Sequence, residues 1–505
     1  MLPRAGSRRL LLVPILAMLP FSRPAPAHAF DTGPHNDMTR AAMQHEGFAP
    51  ESQVIGICQV SNWLVDYYSS RPSFLSTDLR DMQRELVHLH FDNLTNVAQI
   101  GNIWSRLARN TQMAVQSAAA SVQSAPNTRA RHNRLVRLAV LIGASLHPVQ
   151  DFYSHSNWVE IYPMKGGVYG TRTWFDTPSP SSLLHTGLVG SNNELNPTGD
   201  ARRDHGDYDK GMSHDSYSRP RWPQAYVYGY SASRQWLRAI RQWVEAVDPA
   251  VWRELRTLRL SGSEAKDLEE DLWAAYGLSL WVNSKGKDGA WKGRGSGDES
   301  LFLRTTIHWV PVSSSISARY FRDSTAFRPL AHGMDLRNAD PGPAPPMPRI
   351  ALGVRAVEVR TLRAAMLSGS PDDFFNDADL YAVLFIGGQR YVEATQQGKS
   401  DLRPPWISVG LVPDSATEIP IRYELYDEDD SGADDVIDVH PAAGHTYAEF
   451  RIDAARHSLS GDLSGIHESK QNPARFRGGG GDDYPAEVTV YVTIRALDDQ
   501  VAPEP

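Results

Sequence analysis

The stretch LHPVQDFYSHSNWVE, residues 146–160, places His147, Asp151 and His155 at intervals of four residues. On an α-helix each step of four residues turns the side-chain direction by only about 40°, so the three side chains would point to one side. Two imidazoles and a carboxylate that converge in this way suit a borderline divalent ion, above all zinc. The alternative is a set of buried, hydrogen-bonded histidines beside an aromatic cluster.

The segment before these residues favours the metal. Residues 135–145, LVRLAVLIGAS, are nearly all apolar and predict a buried helix that continues to residue 155. This helix would carry the polar groups into the interior, where they are costly unless they are paired, and metal coordination meets that cost. Weaker candidates lie upstream, and for each a solvent-facing histidine or a helix-capping aspartate is the simpler alternative: His35, Asp66, His88 and His90.

Composition limits both the class of protein and the kind of metal site. The 505 residues predict two to four domains, and the net charge of −8 argues against a nucleic-acid coat, which needs a basic surface. Cys58 is the single cysteine, so neither an internal disulfide nor a thiolate metal cage is available. A metal site must therefore use His, Asp and Glu.

The first 29 residues read as a cleaved targeting segment. Three arginines at positions 4, 8 and 9 precede an apolar run at 10–21, and Ala27-His28-Ala29 fits the rule for cleavage before Phe30. The run is too short to span a bilayer, and the Arg8-Arg9 pair also fits twin-arginine export. Removal of the segment's four arginines would lower the net charge from −8 to −12. We expect a secreted or periplasmic protein.

The hydrophobic period changes once along the chain. Apolar residues recur at helical spacing before a Pro-rich stretch, and alternating, β-branched runs follow it. We therefore predict a multidomain α + β protein with an all-α domain followed by an antiparallel β-sandwich. The predicted parts are the signal peptide 1–29, the helical domain 30–336 with the role of 284–336 left open, the linker 337–348, the sandwich 349–498 and the loose tail 499–505.

Acidic residues cluster in two loops of the second domain. Like charges crowded at one end of a sandwich repel one another unless a cation joins them. Calcium takes six to eight oxygen ligands in flexible geometry and suits such loops, whereas the alternative is a solvated acidic turn. The candidate calcium ligands are Asp373, Asp379, Asp427, Asp429 and Asp435.

Residues 30–240 resemble the zinc-dependent phospholipase C family, in the branch with bacterial phosphatidylcholine-hydrolysing enzymes and Het-C-type proteins. The similarity lies in the stretches NWLVD at 62–66, HFD at 90–92 and HPVQDFYSHSNW at 147–158. The resemblance implies up to three zinc ions in one helical cleft, with Asp66 as ligand and general base and Asp151 bridging two ions. The other implied ligands are Phe30 through its free amine and carbonyl, His35, His90, His147 and His155.

The last ligand pair of the phospholipases, H-x-x-x-E, has no clean counterpart. His205 is the best substitute and Asp215 the second, and the further candidate replacements are Glu160, His185, Asp209 and His214. Residues 349–498 resemble C2 domains, which bind calcium and lipid, although Leu380 stands where those domains have a proline. That resemblance implies calcium-dependent docking on a phospholipid membrane.

Together these features predict a secreted zinc-dependent phospholipase C. Metal-activated water would hydrolyse the phosphodiester of glycerophospholipids, phosphatidylcholine first among them, to diacylglycerol and a phosphorylated head group. One alternative is a zinc nuclease of the same fold, which the negative charge disfavours. The other is a non-catalytic protein that binds membranes through calcium.

Overall fold

The computed structural model describes most of both halves of the chain. The described residues are 32–69, 86–162, 169–170, 173–187, 214, 221–269, 271–272, 327–335, 338, 342–349, 351–367, 378–393, 400–404, 406–427, 435–442, 445–479 and 484–498. The predicted signal peptide lies outside these residues, as do several predicted ligands: Phe30, His205, Asp215, Asp373 and Asp429. The same holds for Asp209 and for most of 284–336.

The N-terminal half is helical, as the apolar spacing predicts. The helices whose bounds the structure describes are α1 (Thr32–His45), α2 (Gln53–Ser69), α3 (Val97–Gln123), α4 (Thr128–His155), α5 (Trp158–Ile161), α6 (Trp222–Glu245), α7 (Pro249–Arg256) and α8 (Phe327–Met334). Local chemistry sets the starts of the two longest, because Asn96 accepts a hydrogen bond from the Gln99 amide and Asn127 accepts one from the Ala130 amide. Among the described helices, none has both the length and the apolar character needed to cross a lipid bilayer.

Helix α4 forms the centre of the helical half, and α2 crosses it very closely. The crossing lies at Gly143, where a β-carbon would stand 2.4 Å from the carbonyl oxygen of Cys58. Only a residue without a side chain permits this approach. The close crossing brings the polar residues that follow on α2 next to those that follow on α4.

The C-terminal half consists of two packed antiparallel sheets. Its strands are β2 (Val354–Met366), β3 (Leu380–Ile386), β4 (Gln389–Val392), β5 (Asp401–Leu402), β6 (Ile407–Pro413), β7 (Glu418–Asp427), β8 (Asp435–Ile437), β9 (Ala448–Asp453), β10 (Ser458–Gly461), β11 (Ala474–Arg477) and β12 (Ala486–Asp498). Strands β11, β12, β2 and β6 lie side by side in one sheet, and β10, β9, β7, β3 and β4 follow one another in the second. A buried Thr361–Tyr423 hydrogen bond of 2.9 Å joins the two.

The helical half joins the end of the sandwich opposite to the acidic loops. A short strand β1 (Tyr169–Gly170) pairs in parallel with the last residues of β12, and Arg234 donates to the carbonyl of Leu352 just before β2. The acidic loops adjoin the other ends of these strands, because Asp438, directly after the β8 strand that begins with Asp435, pairs with Pro485 just before β12 begins. At about 3.3 Å per residue, the 13 residues of β2 separate the two ends by about 40 Å.

The helical N-terminal half and the antiparallel C-terminal half confirm the predicted order of secondary structure. Whether the helical half is a phospholipase C-like bundle stays a prediction.

Candidate metal centre

Five imidazole and carboxylate side chains meet in the interior of the helical half. Asp66, which is 2% exposed, comes from α2, and His90 follows the 3-10 helix Val87–Leu89. The others have no exposed surface: His35 lies on α1, and His147 and Asp151 lie on α4. These five residues belong to the predicted zinc ligands, and groups of this kind are rarely buried together unless something pairs them.

Three of the five form a tight triangle of donor atoms. The Oδ2 atom of Asp151 lies 3.0 Å from the Nε2 atom of His147 and 3.0 Å from the Nδ1 atom of His90, and the two nitrogens are 3.1 Å apart. Zinc–nitrogen bonds of about 2.05 Å in tetrahedral geometry place neighbouring ligands about 3.3 Å apart. The triangle therefore has nearly the size of one face of a zinc coordination shell.

A second group shares His147 with the first. The ligand atoms of His35, Asp66 and His147 lie within 4.8 Å of one another, with 3.5 Å between His147 Nε2 and Asp66 Oδ1. The carboxylate of Asp151 connects the groups, because its Oδ1 atom lies 3.0 Å from His35 Nε2. A carboxylate between two ligand groups is the arrangement that a bridging ligand requires, so the donor set fits more than one borderline divalent ion.

Burial keeps the imidazole of His147, which both groups share, neutral. It lowers the pKa of His147 well below its usual value, although the nearby charge of Asp66 acts in the opposite direction. A neutral imidazole is the form that binds metal, because the ligating nitrogen must carry a free lone pair.

A strained loop holds His90 in place. The next residue, Phe91, has φ 55°, a left-handed conformation that costs a bulky residue roughly 1–2 kcal/mol. Packing holds this conformation, since the Phe91 ring centroid lies 4.7 Å from that of Trp104 and 5.4 Å from that of Phe152. From α4, the Nδ1 atom of His155 contacts the His90 carbonyl oxygen at 2.9 Å and Asp92 Oδ1 at 2.6 Å.

His155 is thus placed in the shell around the centre, where its ring fixes the loop that carries His90. Neither group of ligand atoms found in the described residues includes it. Its predicted role as a zinc ligand stays a prediction.

Two of the candidate replacements for the missing ligand pair come together near the end of α4. His214 is 1% exposed, and its Nε2 atom lies 3.5 Å from Glu160 Oε2. Its backbone amide donates to the Ser154 carbonyl at 3.0 Å, which places it beside the helix of the centre. The Nδ1 atom of His185 instead lies 2.9 Å from the Leu183 carbonyl oxygen, and its backbone amide donates to Asn157 Oδ1 at 3.0 Å, which matches a structural role in its loop.

The acidic end of the sandwich brings together the three predicted calcium ligands that the structure describes. The Asp379 amide donates to Asp427 Oδ1 at 2.6 Å, and Asp427 pairs with Asp435 across β7 and β8. The same end carries three apolar side chains with more than a third of their surface exposed: Leu367, Val436 and Tyr484. Backbone hydrogen bonds from Leu367 to Pro485 and from Asp438 to Tyr484 hold this end together.

The outer face of the second sheet contains a cavity of about 580 Å³. Two of its ionisable groups are engaged, since Arg422 pairs with Glu424 and lies 3.7 Å over the Tyr447 ring, and His440 lies 3.2 Å from Asp462. His440 cannot serve as a general base for the nearby Ser460, because its Nδ1 atom accepts the Ala442 amide and its Nε2 atom faces Asp462.

Sequence reasoning missed the polar shell behind the ligands. The Nδ1 atom of His35 lies 2.6 Å from Gln150 Oε1, and that of His147 lies 3.0 Å from Asn62 Oδ1. Position offers one signal for each, since Asn62 lies one helical turn before Asp66 and Gln150 lies between His147 and Asp151.

Similarity to known proteins is limited to parts of the chain. Residues 77–165, which include His90, His147 and Asp151, match the family model of the VWA7 N-terminal domain. Among curated proteins, none matches the chain.

Solved structures of two kinds are weakly similar to part of this chain. Human GIVD cytosolic phospholipase A2 is 17% identical over 29% of this chain and 18% of that chain, with a TM-score of 0.20. The chain thus spans less than a fifth of the phospholipase A2 structure. A C2 domain of plant Extended Synaptotagmin 1 is 12% identical over 28% of this chain and 95% of that chain, with a TM-score of 0.20.

Proposed function

We propose that the protein is a secreted, zinc-dependent phospholipase C that releases diacylglycerol and a phosphorylated head group from phosphatidylcholine. One observation carries the proposal: ligand atoms of His35, Asp66, His90, His147 and Asp151 converge in a fully buried cluster. Burial deprives these carboxylates and imidazoles of water, and their facing lone pairs repel one another unless a cation or protons lie between them.

The five side chains would have different roles in the reaction. When bound, zinc lowers the pKa of water towards neutrality and neutralises the charge of a phosphodiester. Asp151, at 3.0 Å from three imidazole nitrogens, holds the ligand set together. Asp66 stands farther away, at 3.5 and 3.8 Å from two of these nitrogens. We therefore assign to Asp66, which contacts these nitrogens less closely, the role of accepting the proton of the attacking water.

Membrane docking is assigned to the acidic end of the sandwich. The carboxylates of Asp379, Asp427 and Asp435 would hold calcium, which bridges to anionic lipid. The exposed side chains of Leu367, Val436 and Tyr484 lie at the same end of the sandwich and give it apolar surface that can enter the lipid interface. Since the helical half joins the opposite end, the sandwich would tether the helical half to the membrane and would have to tilt for lipid to reach the metal centre.

Phosphocholine release from phosphatidylcholine vesicles tests the hydrolase. We expect release that a chelator abolishes and zinc restores, and a loss of at least about 100-fold in Asp66→Asn, the size typical of lost general base catalysis. Glu245→Gln is the matched control, because that carboxylate pairs on the surface with Arg241. Zinc-loaded protein that hydrolyses RNA but no lipid would support the nuclease alternative, and zinc-loaded protein inactive on both would refute a hydrolase.

Calcium-dependent co-sedimentation with anionic vesicles tests the docking surface separately. We expect Asp427→Asn and the double variant Val436→Asp/Tyr484→Asp each to lose binding. Asp453→Asn, at an exposed turn of the same sandwich, should keep it. Equal binding with and without calcium would contradict the role assigned to the acidic loops.

A further inference from the structure

We propose that Gln150 and Asn62 are positioning residues that keep the ring protons of His35 and His147 on Nδ1, so that both Nε2 lone pairs face the metal centre. This inference rests on the proposed function for its chemical purpose, whereas the tautomers themselves follow from the hydrogen bonds. The chain of bonds runs from a backbone carbonyl on α6 to both rings.

The orientation of Gln150 is set on α6. The Ser233 hydroxyl donates to the Gly229 carbonyl at 2.7 Å, and a carbonyl can only accept. Because a hydroxyl has one hydrogen, Ser233 must accept from its other neighbour, the Gln150 amide group at 3.2 Å. Gln150 therefore turns its NH₂ group towards Ser233 and its oxygen away from it.

The oxygen of Gln150 then decides the next two partners. It lies 2.6 Å from His35 Nδ1 and 2.9 Å from the Asn62 amide nitrogen. An amide oxygen only accepts, so His35 must donate from Nδ1 and Asn62 must donate from its NH₂ group. The Asn62 oxygen is left for His147, whose Nδ1 atom lies 3.0 Å away and must likewise donate.

Both rings are thereby prepared for a cation. A neutral imidazole with its hydrogen on Nδ1 has its lone pair on Nε2, and each Nε2 atom lies 3.0 Å from an oxygen of Asp151. The Thr39 hydroxyl oxygen accepts from the amide groups of both Asn62 and Gln150. Water cannot compete for these hydrogen bonds, because Thr39, Asn62, Gln150 and Ser233 have no exposed surface. Holding the second nitrogen of a metal-ligating histidine is a general means of raising metal affinity.

Three variants test this role. Gln150→Met removes the acceptor oxygen, Gln150→Glu keeps one, and Ser233→Ala removes only the group that orients the amide. Gln235→Met is the matched control, since Gln235 is a buried glutamine on α6 whose amide bonds Asp176 and Thr173 away from the centre. Nitrogen-15 NMR of the histidine rings in zinc-depleted full-length protein reports the tautomers, and competition with a chelator reports zinc affinity.

We expect Gln150→Met to lose the Nδ1–H tautomer of His35 and to bind zinc roughly 10–100-fold more weakly. Ser233→Ala should shift the same signals partly, Gln150→Glu should keep the Nδ1–H tautomer of His35, and Gln235→Met should keep both readouts near wild type. Unchanged tautomers and affinity in both Gln150→Met and Ser233→Ala would overturn the inference, as would equal losses in Gln235→Met. If wild-type protein has the expected tautomers but does not hydrolyse phosphodiesters, the positioning role stands and the proposed function fails.

Discussion

The close crossing of α2 and α4 makes Gly143→Ala the sharpest test of how the fold builds the centre. The added β-carbon would stand 2.4 Å from the carbonyl oxygen of Cys58 and 2.7 Å from its α-carbon. Ordinary contacts begin at 3.4 Å, so the two helices must separate by about 1 Å. His147 lies one turn beyond Gly143, about 6 Å along α4, and Asp66 lies on the displaced helix.

A displacement of about 1 Å exceeds the roughly 0.2 Å over which zinc–ligand distances vary in functional sites. We therefore expect zinc binding to weaken roughly 10–100-fold, comparable to the loss of a supporting contact. Overpacking should also lower the free energy of unfolding by about 1–3 kcal/mol. Chelator competition measures the first quantity, and thermal unfolding with and without zinc measures the second.

Gly101→Ala is the matched control, a helical glycine in α3 whose added β-carbon would meet only the Trp174 ring at 3.7 Å. It should leave zinc affinity unchanged and alter stability by no more than about 1 kcal/mol, in the stabilising direction. Wild-type zinc affinity and stability in Gly143→Ala would refute the reasoning that this crossing sets the ligand geometry.

Three further predictions concern ionisable groups inside the helical half. In zinc-depleted protein Asp151→Asn should raise the melting temperature, because it removes a buried charge, and should abolish the stabilisation by added zinc; a lower melting temperature would instead favour a hydrogen-bonded cluster without metal. Glu46→Ala should lower the free energy of unfolding in urea by about 3–5 kcal/mol, because it leaves Arg234, 2.8 Å away and 4% exposed, without its carboxylate; a loss below about 1 kcal/mol, the value for a surface pair, would contradict this. Burial lowers the pKa of His45 to about 4 in the folded protein, from about 6.5 in the unfolded chain. Between about pH 6.5 and pH 4 only the unfolded chain protonates this imidazole, so the free energy of unfolding falls as the pH falls through this range. In His45→Gln the fall in unfolding free energy across this range should be about 2–3 kcal/mol smaller than in wild type, and parallel pH profiles would exclude the assignment.

Much of the secondary structure was predictable because hydrophobic period is a local property. Apolar residues at helical spacing around 134–155 predict a helix, and α4 covers Thr128–His155. Alternation at the IRYELYD segment predicts a strand, and β7 covers Glu418–Asp427. The spacing of four between His147 and Asp151 likewise fixes their common side on one helix, where the structure places their ligand atoms 3.0 Å apart.

In the sequence, His35, Asp66 and His90 are only weak candidate metal ligands, because each comes from a different segment. Their convergence depends on how α1 and α2 pack on α4, and on the left-handed turn at Phe91 after His90. The hydrogen bonds of Gln150 likewise join distant segments, since its partners His35 and Ser233 are 115 and 83 residues away.

The sequence by itself determined the order of helices and strands and the chemistry of the candidate ligands, because residue type and short-range period act within one element. Only the tertiary structure decided which candidate ligands lie together, which amide groups contact them, and that the acidic loops lie at the end of the sandwich away from the helices. Contacts between segments far apart in the chain are set by side-chain volume and close approach, as at Gly143, and these leave no period in the sequence.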